Sequence, residues 1–274
     1  MVTRYFSKAH SSSLVPMAIG TLAVAAIAAV TGTSSAAVIY QDSFSGSANT
    51  SLAGQAPTID NGSSATWNNQ YSWDNGKGYF WTVNGDVSVS GSGDYSAVDS
   101  LNFTPVDGHA YTISANLDPA SGGGFMAFGF TNGDGSASGG RPFFNTTGPW
   151  MTSYLQSAVQ GWAGPGNTNS QFNDGNMSAL GDASQIVLNT AGADWTVQWL
   201  YNGTTLGSYT YSGTSGSNPN PTGITEVAIG AFAVSGSIGD FSLASVAVPE
   251  PATLGLAAMG GLGLLLLKRR KTTV

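Results

Sequence analysis

Trp195-Thr196-Val197-Gln198-Trp199-Leu200-Tyr201-Asn202-Gly203-Thr204-Thr205-Leu206-Gly207-Ser208-Tyr209 reads as two strands around a tight turn. Asn-Gly adopts positive backbone angles at little steric cost, which is what a two-residue hairpin connection demands. Side chains alternate along a strand, so Trp195, Val197 and Trp199 share one face while Thr196, Gln198 and Leu200 share the other. The first face has the bulk and apolarity of a core. A lone hairpin cannot bury such a face, so the fold must supply a second layer.

Segments of the same character recur on both sides: Tyr79 to Val83, Asp86 to Ser90, Tyr111 to Leu117, Phe125 to Thr131, Gln185 to Asn189, Leu206 to Tyr211, Glu226 to Val234 and Ile238 to Val246. Clusters of glycine, asparagine, serine and aspartate separate them, and no sustained helical period interrupts them. Stretches at Asn132 to Gly140, Gly164 to Gly175 and Ser212 to Gly223 read as long loops. No repeat of fixed period emerges, which argues against a propeller or solenoid. The expectation is an all-β, antiparallel β-sandwich. Asp42-Ser43-Phe44-Ser45-Gly46, Leu52-Ala53-Gly54-Gln55-Ala56-Pro57 and Ala65-Thr66-Trp67 resemble the opening of concanavalin-like jelly-roll domains, and Ile238-Gly239-Asp240-Phe241-Ser242-Leu243 resembles their last strand. The resemblance implies two packed antiparallel sheets.

The two ends differ from this middle. Arg4 and Lys8 precede an apolar stretch from Leu14 to Val30, and Thr31-Gly32-Thr33-Ser34-Ser35-Ala36-Ala37 follows. This is the three-part pattern of a secretion signal, with cleavage expected after Ala36 or Ala37; the alternative is an uncleaved anchor. At the other end Val248-Pro249-Glu250-Pro251 leads into the uncharged run 252–267 and then Lys268, Arg269, Arg270 and Lys271. As a transmembrane helix those sixteen residues would reach about 24 Å, short of a bilayer core of about 30 Å, and snorkelling basic stems would cover part of the difference. The basic tail is expected on the cytoplasmic side and the preceding domain outside.

Pro249, Glu250 and Pro251, the apolar run and the basic tail together resemble the PEP-CTERM sorting domain of exported bacterial proteins, which also carries the label of an ice-binding protein C-terminal domain. The resemblance implies recognition of Pro249-Glu250-Pro251 by an exosortase after passage through the secretion machinery. It also implies contact with the membrane through 252–267 and association with exopolysaccharide and biofilm matrix at the cell surface of a Gram-negative bacterium. The chain thus divides into a signal at 1–37, an exported domain at 38–247 and a sorting segment at 248–271.

Charge and composition narrow the function of the middle. Between the ends Lys77 and Arg141 are the only bases, against thirteen Asp and Glu226, a formal charge of −12. Such a surface repels phosphate backbones, so nucleic acid is not an expected partner. The chain has no cysteine, which excludes disulfides and thiolate chemistry. His109 is the only histidine between the ends, too few for a Ser-His machinery or a zinc site, and it reads as a turn residue. Glycan hydrolysis needs two placed carboxylates. Glu226 has no acidic residue two positions away, and Asp94, Asp99, Asp174 and Asp182 fall in expected loops. No catalytic residue and no cofactor are therefore assigned. Calcium is the ion that Asn132-Gly133-Asp134-Gly135 would suit as a structural ligand set. All seven tryptophans lie in the middle; Trp67, Trp73, Trp81, Trp150 and Trp162 are candidates for stacking on sugar rings, although burial in the core is the commoner fate of tryptophan. The leading expectation is a non-enzymatic exported surface or matrix protein, followed by a carbohydrate-binding module and then by a glycan-cleaving enzyme.

Overall fold

A computed structural model of the chain describes residues 35–47, 49–72, 80–83, 85–89, 96–132, 151–155, 159–163, 170–174, 183–211 and 220–249. All regular structure among them is strand: β1 (Ala37–Asp42), β2 (Ile59–Asp60), β3 (Asn68–Ser72), β4 (Phe80–Val83), β5 (Asp86–Val89), β6 (Ser96–Asn102), β7 (His109–Thr131), β8 (Met151–Leu155), β9 (Val159–Ala163), β10 (Ser170–Asp174), β11 (Ala183–Asn189), β12 (Thr196–Tyr201), β13 (Thr204–Thr210) and β14 (Glu226–Ala247). Every pairing is antiparallel, in one continuous ladder.

The hairpin that decides the fold forms as its sequence dictates. Tyr201 pairs with Thr204, and Asn202 and Gly203 between them have φ of 48° and 74°, the mirror-image turn that matches strand twist. Trp195, Val197 and Trp199 are buried and Gln198 is exposed. A register shift between Trp199 and Leu200 lets Leu200 pair with Thr205.

The spine is the pair β7 and β14, each expected as two strands and each continuous. Their ladder runs from Glu226–Thr131 to Ala247–His109, with register shifts around Ala233, Gly236 and Asp240. Toward one end β14 lies between β1 and β7, and the sheet continues through β11, β12 and β13. Toward the other it lies between β6 and β7, continuing through β8, β9 and β10, with β3 beyond β6. The shifts let the long pair carry the sheet from one layer to the next, because a bulge bends and twists the strand that holds it. Gly124 is required there: a Cβ on it would overlap the Phe232 carbonyl oxygen.

Ile113, Leu117, Ile186, Val197, Trp199 and Leu243 from the first half and Leu101, Met126, Phe128, Phe130, Val227 and Ile229 from the second belong to one core cluster. Burying each such side chain stabilises the fold by roughly 1.5–3 kcal/mol against its exposed state, before the entropic cost of ordering it. A smaller cluster, Val98, Phe125, Ala127 and Ala228 with Phe232 against it, occupies the other face of the second half.

Three expectations need correction. Asp99 lies in β6 and Asp174 in β10, not in loops; β10 also occupies part of the expected loop 164–175. The strands β1, β2, β3, β6, β8 and β9 were not foreseen: each is too short, polar or interrupted for its period to stand out.

Candidate functional site

Two carboxyls are buried in the second half. Asp99, in the middle of β6, stands opposite Asn69 of β3 and Ile229 of β14. Alternation puts it on the face of Ala97 and Leu101, toward the main core. Asn69 Nδ2 donates to its Oδ1 at 2.7 Å, while Oδ2 has no partner. Burial pushes its pKa up to about 7, with the Asn69 hydrogen bond pulling the other way.

Glu226 opens β14, opposite Asn102 and Thr131. It belongs to the face of Ser100 and Ala228, away from the main core. Gln70 Nε2 donates to Glu226 Oε1 at 3.1 Å. Gln70 reaches it because it is the extra residue of a bulge: Asn69 pairs with Asp99 and Tyr71 with Val98, leaving Gln70 outside the ladder. Glu226 Oε2 and Ser100 Oγ are both buried without a hydrogen bond of regular geometry. Burial raises the Glu226 pKa, and the adjacent Ser100 hydroxyl partly opposes the rise. Gln70 and Ser100 were not anticipated, since nothing in the sequence reveals the bulge that brings Gln70 to Glu226.

Of the candidate tryptophans, Trp67 is excluded as a sugar contact. It is 0% exposed, lies edge-on to Phe241 and gives its indole N–H to Asp42 Oδ2 at 2.7 Å. Trp81 is in β4 opposite Ser88, and Trp162 is in β9 opposite Thr152 and Ser170. Trp73 and Trp150 lie outside the described residues, as do Asp94, Asp182 and all of Asn132-Gly133-Asp134-Gly135 but Asn132. His109 begins β7, stacks on Tyr111 and contacts the Asp107 carbonyl through Nδ1. Among the described residues no group of three or more His, Asp or Glu is placed to hold a metal.

The sorting segment begins where the sheet ends. Ala247, the last residue of β14, pairs with His109, and Ser245 pairs with Ala37 on the other side. The Val248 N–H then donates to the Gly108 carbonyl at 2.8 Å, and Pro249 is exposed. Glu250, Pro251, the run 252–267 and Lys268, Arg269, Arg270 and Lys271 lie outside the described residues, as does the expected signal helix.

Residues 247–271 match the family described as the PEP-CTERM protein-sorting motif. No curated protein matches the chain. Among solved structures, the endo-1,3-β-glucanase of Streptomyces sioyaensis is similar over 78% of this chain and 97% of its own, with 12% sequence identity and a TM-score of 0.54. The endo-β-1,3-glucanase of Pyrococcus furiosus is similar over 79% of this chain and 97% of its own, with 11% identity and a TM-score of 0.50. At such identities the likeness is one of jelly-roll-like fold. The sorting motif implies export, processing by an exosortase and transient membrane association.

Proposed function

We propose that the chain is a non-enzymatic protein of the cell surface or extracellular matrix of a Gram-negative bacterium, an acidic β-sandwich delivered by its C-terminal segment. The observation that carries this reading is the PEP-CTERM motif at 247–271, joined to the last strand with no intervening linker. β14 is flanked by strands on both sides to within two residues of its end, so every strand among the described residues precedes Pro249. Replacing Pro249, Glu250 and Pro251 together by alanine tests it. The expected result is protein held in the membrane fraction with its tail intact, while the unaltered chain reaches the surface or medium. Equal distribution of the two would contradict the reading.

The two buried carboxyls speak against glycan cleavage by that pair: Asp99 and Glu226 belong to opposite faces of one sheet, whereas a glycosidase holds both members of its pair beside one scissile bond.

Carbohydrate binding is the second reading, favoured by a fold in common with two β-1,3-glucanases. The formal charge of −12 between the ends favours a neutral glycan over an anionic one. A neutral β-1,3-glucan is the first ligand to try; calorimetry without heat of binding to it, alongside normal sorting, would count against this second reading alone.

A further inference from the structure

Thr190, the residue after β11, is 0% exposed and holds the loop that precedes β7. Its hydroxyl donates to the Val106 carbonyl at 2.7 Å, with the His109 carbonyl 2.9 Å from the same oxygen, and accepts from the His109 N–H at 3.1 Å. Its own N–H donates to the His109 carbonyl at 2.8 Å, and its carbonyl accepts from the Gly108 N–H at 3.3 Å. From the other side the Tyr111 hydroxyl, on a buried ring set edge-on to Phe103, accepts from the Val106 N–H at 2.9 Å. Gly108 closes the turn at φ 79°, a left-handed conformation that glycine takes without strain. Val106 thus has both backbone groups bonded to buried side chains, while its own side chain is 63% exposed. A single exposed valine is ordinary. One whose backbone is fixed has already lost the freedom that a partner would otherwise have to remove.

The same loop holds the root of the sorting segment. The Val248 N–H donates to the Gly108 carbonyl at 2.8 Å, and Val248 precedes a proline, which confines its backbone to extended conformations. Pro249 is exposed and has no N–H with which to continue the ladder. The motif therefore starts directly after a fixed point. An enzyme acting at Pro249-Glu250-Pro251 grips the chain on either side of the bond it cuts, and at about 3.3 Å per extended residue such a grip reaches Val248 and the loop bonded to it. We propose that the loop 104–108, with Val106 on it, is a docking surface for the enzyme that processes the sorting motif, and that Thr190 is its positioning residue. This rests on the reading that the segment is processed. Motif and loop are taken up together, so less ordering is left to binding. The arrangement also favours a folded substrate, because the loop has this shape only once β7, β11 and β14 have paired.

Pulse-labelling of producing cells, with intact mass distinguishing chains with and without the tail, gives the rate of tail removal. Val106→Ser changes one exposed side chain and should slow removal by about fivefold or more, with the melting temperature of the exported domain unchanged. Ile59→Ser is the control, since Ile59 is 43% exposed on β2, which β1 separates from β14; it should alter neither quantity. Thr190→Val keeps the volume without the hydroxyl and should also slow removal, and Thr190→Ser should restore it. Tail removal from Val106→Ser at the unaltered rate, or equal slowing in Ile59→Ser, overturns the proposal whatever Thr190→Val does. An unaltered chain that keeps its tail contradicts the processing reading itself and takes the docking surface with it.

Discussion

Asp99 and Glu226 lie on adjacent antiparallel strands and face opposite sides of the same sheet. Asp99 stands opposite Ile229, and Glu226 opposite Asn102, so the odd-numbered positions of β6 carry one carboxyl toward the main core while the even-numbered face receives the other. Each is buried and each has an oxygen without a partner. Their roles must accordingly be tested one at a time.

Asp99 should make stability depend on pH. Its pKa is about 7 in the folded chain against 3.8 for the ordinary group, so between those values the folded state holds a proton that the unfolded state has released. Stability is then greatest near pH 4, falls as pH rises and levels off above about pH 7, by at most about 4 kcal/mol. Asp99→Asn, which keeps an acceptor for Asn69, should flatten that slope and raise the melting temperature at pH 7. Thermal melts from pH 4 to pH 8 decide it; an unchanged slope in the variant would assign the pH dependence to another group.

The Trp67–Asp42 hydrogen bond should matter more than its single contact suggests. Asp42 Oδ1 accepts from the Phe44 N–H at 2.8 Å and from Thr58 Oγ1 at 3.2 Å, while Oδ2 relies on Trp67. Trp67→Phe keeps most of the apolar bulk but leaves a buried carboxylate oxygen unpaired, at an expected cost of about 3 kcal/mol. Denaturant unfolding would measure it. A loss below about 1 kcal/mol would mean that water takes over the indole's place.

At Gly124 the prediction is structural. An added Cβ collides with the backbone carbonyl of Phe232, which cannot move without opening the β7–β14 ladder. Gly124→Ala should cost about 3 kcal/mol or more and leave little soluble protein, whereas Gly123→Ala, with no atom near its Cβ position and no positive φ, should cost far less. Circular dichroism of the two variants compares them directly.

How much of this was legible beforehand follows from what each residue needed. The 195–209 hairpin was readable because its turn and its alternation are both local, and Trp195 and Trp199 are buried as their shared face required. The long strands β7 and β14 were seen only as halves: Pro119 and the glycines 122–124 in one, and Gly236 and Gly239 in the other, look like breaks, yet a partner strand with matching bulges carries the ladder through them. Tertiary pairing decides such cases, not local preference. The polar site was the least legible. Asp99 resembles a loop residue until β3 and β14 enclose it, and the meeting of Gln70 with Glu226 spans 156 positions of sequence. The sorting segment, by contrast, is read by an enzyme as sequence and was visible as such.

The central claim is that the C-terminal segment delivers the sandwich and is then removed. The measurement that tests it most directly is the intact mass of the protein recovered from the surface or medium of producing cells. The account predicts a chain that ends at or shortly after Pro251 and lacks Lys268, Arg269, Arg270 and Lys271. A chain recovered there with its full tail through Val274 would contradict it.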